Sequence, residues 1–163
     1  MTRALSKANI IAALKPYFSV KELVCPHTYA RFGENSWQFL QTPLLHTLLI
    51  LRTEILKVEL HCNNWYKVGG KLSQRGLRCN LCEEVKKYTD INRTYISAHI
   101  QGLAVDLTSP KMQAQQMRDE IMAHADLLPY PVRIEQNEDD KPTWLHIDCY
   151  DTAKGNKITP FKG

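Results

Sequence analysis

The apolar positions of this chain follow two rhythms, and each predicts a different kind of element. Leu44, Leu45, Leu48, Leu49, Leu51, Ile55 and Leu56 recur at helical spacing after Thr42-Pro43, which predicts a long amphipathic helix to about Leu56 that supplies much of a core. Ser19 with Glu22 three residues later, preceded by the apolar Phe18, is a capping box that predicts a short helix. Ser109-Pro110 predicts another start, with Met112, Met117, Ile121 and Met122 as core-facing positions. The second rhythm has period two. Leu103, Val105 and Leu107 alternate with Gly102, Ala104 and Asp106, and Leu145, Ile147 and Cys149 alternate with Trp144, His146 and Asp148. On a strand these sets face opposite sides. Val132, Ile134 and Gln136 likewise oppose Arg133 and Glu135, and the polar run 137–142, with Glu138, Asp139 and Asp140 solvated in its turn, predicts a hairpin between the last two segments. Val58 to His61 reads as a short strand, and Asn63-Asn64, Gly69-Gly70 and Gly76 mark a looping stretch.

Together these elements predict an α+β fold, with helices packed on one side of an antiparallel sheet whose other side is a cleft. At 163 residues and 44% hydrophobic content, one domain spanning residues 1–163 buries a sufficient core. The longest apolar run, Leu44 to Leu51, is broken by His46 and Thr47 and falls short of the roughly 20 residues of a membrane helix. The N-terminal residues lack a sustained apolar stretch with a cleavage site, so no secretory signal is visible and synthesis in the cytoplasm is expected. A net charge of +4 with acids and bases interspersed, and no basic stripe interleaved with aromatics, gives no support for nucleic-acid binding. Five cysteines argue for reduced thiols rather than a disulfide framework. Cys79 and Cys82 have the spacing of half a zinc ribbon, which Cys25, His27, His61 and Cys62 could complete, although such isolated pairs are more often plain thiols.

The stretch Ser97 to Leu107 is the most informative. Asp106 emerges on a face kept clear by Gly102 and Ala104, and a turn around Gly102 lets His99 fold back toward it. His146 emerges beside Asp148 on the later strand. Two histidines and an aspartate form a nitrogen and oxygen ligand set suited to Zn2+, with a fourth position left for water. A zinc peptidase also needs a base within reach of that water. Glu135, which a hairpin brings beside His146, is the candidate.

Ser97-x-His99-x-x-Gly102-x-Ala104-x-Asp106, followed by Trp144-x-His146, resembles the signature of the zinc D-Ala-D-Ala carboxypeptidases and related phage endolysins of the hedgehog-type peptidase fold. The segments Phe18 to Leu23 and Gln74 to Arg78 are similar to the phage-like wall-peptidase branch. The resemblance implies His99, Asp106 and His146 as zinc ligands and Glu135 as general base. It also implies an arginine, Arg75 or Arg78, that holds a substrate carboxylate or polarises the scissile carbonyl. Ser97 and Gln101 would support the site by hydrogen bonding, and Asp148 would orient a ligand or serve as a reserve base. Some members carry the base three residues before the last histidine, where this chain has Thr143. The activity implied is hydrolysis of a peptide stem or cross-bridge of bacterial peptidoglycan, as a carboxypeptidase or an endopeptidase. The protein would act as a monomer, after release through a partner pore of the holin type or as a virion component. A non-catalytic zinc-containing wall-binding or phage structural protein is the alternative.

Overall fold

The structure, a computed structural model, describes residues 5–137, 142–150, 153 and 155–163. Its first part is helical. Helix α1 (Lys7–Leu14) is capped by Ser6, whose side chain accepts from the Asn9 amide, and α2 (Val20–Leu23) starts where Glu22 reaches back to the Ser19 amide at 3.2 Å. The short α3 (Pro26–Phe32) leads through a 3-10 segment (Gly33–Phe39) to α4 (Thr42–Ile50). The helix does continue to Ile55, but its last turn widens, with the Leu56 amide bonding the Leu51 carbonyl five residues back. Thr53 also returns its hydroxyl to the Leu49 carbonyl, and such local competition bends helices. Leu44, Leu45, Leu48, Leu51 and Ile55 are all buried.

After α5 (Glu83–Thr89) come β1 (Ala104–Leu107), α6 (Ala114–Ala123), β2 (Val132–Glu135), β3 (Leu145–Asp148) and β4 (Ile158–Phe161). The sheet order is β1-β3-β2-β4. β3 pairs antiparallel with both β1 and β2, as the hairpin pattern predicts, but β4 lies parallel to β2, so the sheet is mixed rather than antiparallel. The run Ile158-Thr159-Pro160-Phe161 lacks an alternating pattern, and its proline suits only an edge. Two further expectations are corrected. Residues 58–61 form no strand; only His61 bridges Thr108. The helix expected at Ser109-Pro110 begins at Ala114, where the Gln113 amide donates to Gln116 Oε1, and this leaves Met122 exposed while Met117 and Ile121 are buried. The turn expected at Glu138, Asp139 and Asp140 lies outside the described residues.

One face of the sheet, carrying Val105, Leu107, Val132, Ile134, Leu145 and Ile147, joins α4 and α6 in the main core. The opposite face is left to polar residues. Among the described residues no helix is long and apolar enough to cross a membrane.

Candidate metal centre

Strand register assembles the site. Asp106 on β1 stands directly across from His146 on β3, and Arg133 on β2 stands across from Asp148, two residues further along the same face of β3. His99 reaches them from the turn that precedes β1. Gly102 makes that turn possible, with φ of +69° and a position where any Cβ would lie 2.1 Å from the Phe39 carbonyl oxygen. Only glycine combines the left-handed backbone with that close approach.

The three side chains converge. One donor atom from each of His99, Asp106 and His146 falls within 4.8 Å of the other two, and all three residues are buried. Asp106 Oδ1 lies 2.8 Å from His146 Nδ1 and 3.6 Å from His99 Nε2. Each imidazole is held by its other nitrogen. His99 Nδ1 donates to the Gly76 carbonyl at 2.9 Å, and His146 Nε2 donates to Asp148 Oδ2 at 3.0 Å. That fixes both tautomers so that the inward nitrogens can bind a metal, as the outer hydrogen bonds of metal-ligating histidines do. Asp148 is itself gripped by the Arg133 fork through two bonds of 2.9 Å. Its side chain is fully enclosed and engaged on both oxygens, which suits an orienting carboxylate and leaves little room for a base.

Charge follows this geometry. Burial opposes ionisation of Asp106, yet the hydrogen bond from His146 and the nearby His99 ring outweigh it and hold the carboxyl well below the usual range. Burial likewise opposes a charged His146, but its bonds to Asp106 and Asp148 raise its pKa to about 9. A buried cationic imidazole between two carboxylates marks a place where positive charge is welcome, and a divalent ion could supply it in the proton's stead.

The triad lies in a cleft of about 520 Å³ that Glu135, Arg78, Ser97 and Asp148 also line. Two hollows of about 730 and 740 Å³ are larger, but neither brings a histidine and a carboxylate together. Continued by one residue, the β2–β3 register sets Glu135 level with His146; its Oε1 accepts from Asn137 Nδ2 at 3.3 Å. Arg78 extends to 3.7 Å from the second oxygen of Asp106. Arg75 turns elsewhere, over the Trp144 ring and toward the Thr108 hydroxyl. The Ser97 hydroxyl accepts from the Ile100 amide and shapes the histidine turn, while Gln101 lines the adjacent hollow with Phe39 and Leu103.

Comparison of the chain with models of known protein families, with curated proteins and with solved structures found no match.

Sequence reasoning did not single out Arg133, Phe161 or Arg118. Phe161 enters the cleft from β4 and meets the His146 ring edge-on at 5.6 Å between centroids. Arg133 stacks between Tyr150 and Phe161 while holding Asp148. For Arg133 a signal existed, since it shares the alternation face of Glu135.

Proposed function

We propose that this protein is a zinc peptidase that hydrolyses peptide bonds in bacterial peptidoglycan, as a carboxypeptidase or an endopeptidase. The observation that carries the reading is the convergence of His99 Nε2, Asp106 Oδ1 and His146 Nδ1 in one cleft that a further carboxylate, Glu135, and an arginine, Arg78, also line. Two imidazoles and one carboxylate are a donor set for Zn2+ that leaves a position open to solvent and substrate. When bound there, the ion polarises a carbonyl and makes water a nucleophile near neutral pH.

The remaining work falls to side chains. Glu135 would take the proton of the attacking water and return it to the leaving amine, a role suited to a carboxylate that lines the same cleft as the triad. Arg78 offers a planar, permanently charged fork beside Asp106, suited to a substrate carboxylate or to the oxygen of the scissile carbonyl. Asp148 and Arg133 hold His146 so that the ligand set does not relax between turnovers. The substrate class is taken from the resemblance of the Ser97-to-Asp106 and Trp144-to-His146 motifs to wall peptidases.

The test is mass spectrometry of fragments released from purified peptidoglycan by the zinc-loaded protein, beside Glu135→Gln with its metal content checked. New amine and carboxyl ends are expected only with the wild type, and the substitution should cost about 10²-fold or more while zinc is retained. No products from several wall chemistries, with zinc bound stoichiometrically, would replace this reading with a zinc-bearing wall-binding protein or phage structural component.

A further inference from the structure

A second group of ligating side chains lies away from the cleft triad. Residues Cys25, His27, Cys79 and Cys82 bring one donor atom each within 4.8 Å of one another. The sequence paired Cys79 and Cys82 by spacing but left their partners open; the fold supplies Cys25 and His27. His61 instead pairs with Glu59, and Cys62 is buried in the main core.

We propose that Cys25, His27, Cys79 and Cys82 form a structural tetrahedral Zn2+ site that ties the start of α3 to the segment carrying Gly76 and Arg78. Three sulfurs and one imidazole are a closed ligand set with no position left for substrate. The spacing fits. A zinc–sulfur bond of about 2.3 Å makes the edge between two tetrahedral sulfurs about 3.8 Å, and Cys79 Sγ and Cys82 Sγ are 3.9 Å apart, with His27 Nδ1 3.8 Å from Cys82 Sγ. A disulfide would need about 2.05 Å. Backbone amides already point at the sulfurs, Leu81 N–H at Cys79 Sγ (3.4 Å) and Cys79 N–H at Cys82 Sγ (3.3 Å). Such bonds stabilise thiolates. Cys25 and Cys82 are buried, whereas His27 stands at the solvent side and leaves the ion a way in.

The surroundings call for a staple. Residues 62–103 contain α5 and, among described elements, no strand. Cys25, Cys82 and Val85 form a small apolar cluster separate from the main core, and small cores are commonly completed by a metal. The Asn63–Glu22 backbone bond (3.1 Å) and the Asn63 and Trp65 side-chain bonds to the Val24 carbonyl tie the start of this segment to α2 and the turn after it, while the Leu23–Leu77 and Cys25–Leu77 backbone bonds (2.8 and 3.0 Å) and the Val24–Leu77 bridge lead into its middle. Directly beyond them lie the Gly76 carbonyl that orients His99 and the Arg78 side chain beside Asp106. Gly76 allows the approach, because a Cβ there would meet the Leu23 carbonyl oxygen at 2.2 Å. The site stands whether or not the triad hydrolyses anything.

Metal counting separates the two centres. The full-length wild type is expected to bind two zinc ions, and the His99→Ala/His146→Ala protein one. Cobalt in that double variant should show thiolate-to-metal charge transfer and tetrahedral ligand-field bands, both lost in Cys79→Ser/Cys82→Ser. Stripping the ion from His99→Ala/His146→Ala with a chelator should speed amide exchange at Leu77 and Arg78 by about tenfold or more. If that variant, folded by circular dichroism, binds no metal, or binds cobalt without thiolate bands, the site is refuted, even where Cys79→Ser/Cys82→Ser fails to fold. Two oxidised thiols at Cys79 and Cys82 in freshly purified protein would refute it as well. Unchanged exchange on stripping would overturn the tie to Arg78.

Discussion

His146 sits between Asp106 and Asp148, and this would make zinc binding at the triad a competition with a proton. The metal takes the neutral imidazole, whereas the site without it favours imidazolium up to about pH 9. Zinc affinity at the triad should therefore rise by about tenfold per pH unit from neutrality toward pH 9 and flatten above, with one proton released per ion. Chelator competition in the Cys79→Ser/Cys82→Ser background, run at several pH values, measures this. Stability without the metal has the opposite trend. A raised histidine pKa contributes fully below its unfolded value near 6.5 and is lost as pH rises through about 9. Asp148 governs the same residue from outside. Asp148→Asn keeps the shape but offers one acceptor fewer to His146 and Arg133, and should weaken triad zinc by about 10- to 100-fold, as read by the same competition.

At the scale of elements, the β2–β3 pair carries the site, and a buried cation secures its end. Arg118 on α6 is almost fully enclosed; its Nε donates to the Glu135 carbonyl at 3.1 Å, and its Nη2 to those of Pro142 and Trp144. These bonds join both strands just where Glu135 leaves β2 and His146 approaches on β3. Arg118→Met keeps much of the volume but removes the bonds to three carbonyls, one of them buried and two part-buried, and should cost on the order of 2–4 kcal/mol. Urea denaturation checks the loss. Edge strand β4 completes the cleft wall, since its Phe161 covers His146 on the side that the antiparallel strands leave open.

For the whole molecule, the helical N-terminal part and the C-terminal sheet share one core, to which residues 62–103 add Cys62 and Leu77 while having little regular structure of their own. Metal removal should therefore be felt globally. An ion held at a free concentration a thousand times its dissociation constant contributes about 4 kcal/mol, so chelation should lower Tm by roughly 10 °C. Scanning calorimetry of the wild type before and after chelator reads it, and Cys79→Ser/Cys82→Ser should lose less on chelation, having one site fewer to empty. The sequence alone determined the helix stripe of α4, the faces of β1 and β3 and the chemistry of His99, Asp106 and His146, because period and residue type are local properties of the chain. It also marked Glu135 as sharing a face with Arg133. Tertiary structure decided the rest. Which cysteines meet, which of Arg75 and Arg78 enters the cleft, that β4 joins in parallel and that Arg118 is buried all depend on residues far apart in sequence, brought together by packing that no local pattern encodes.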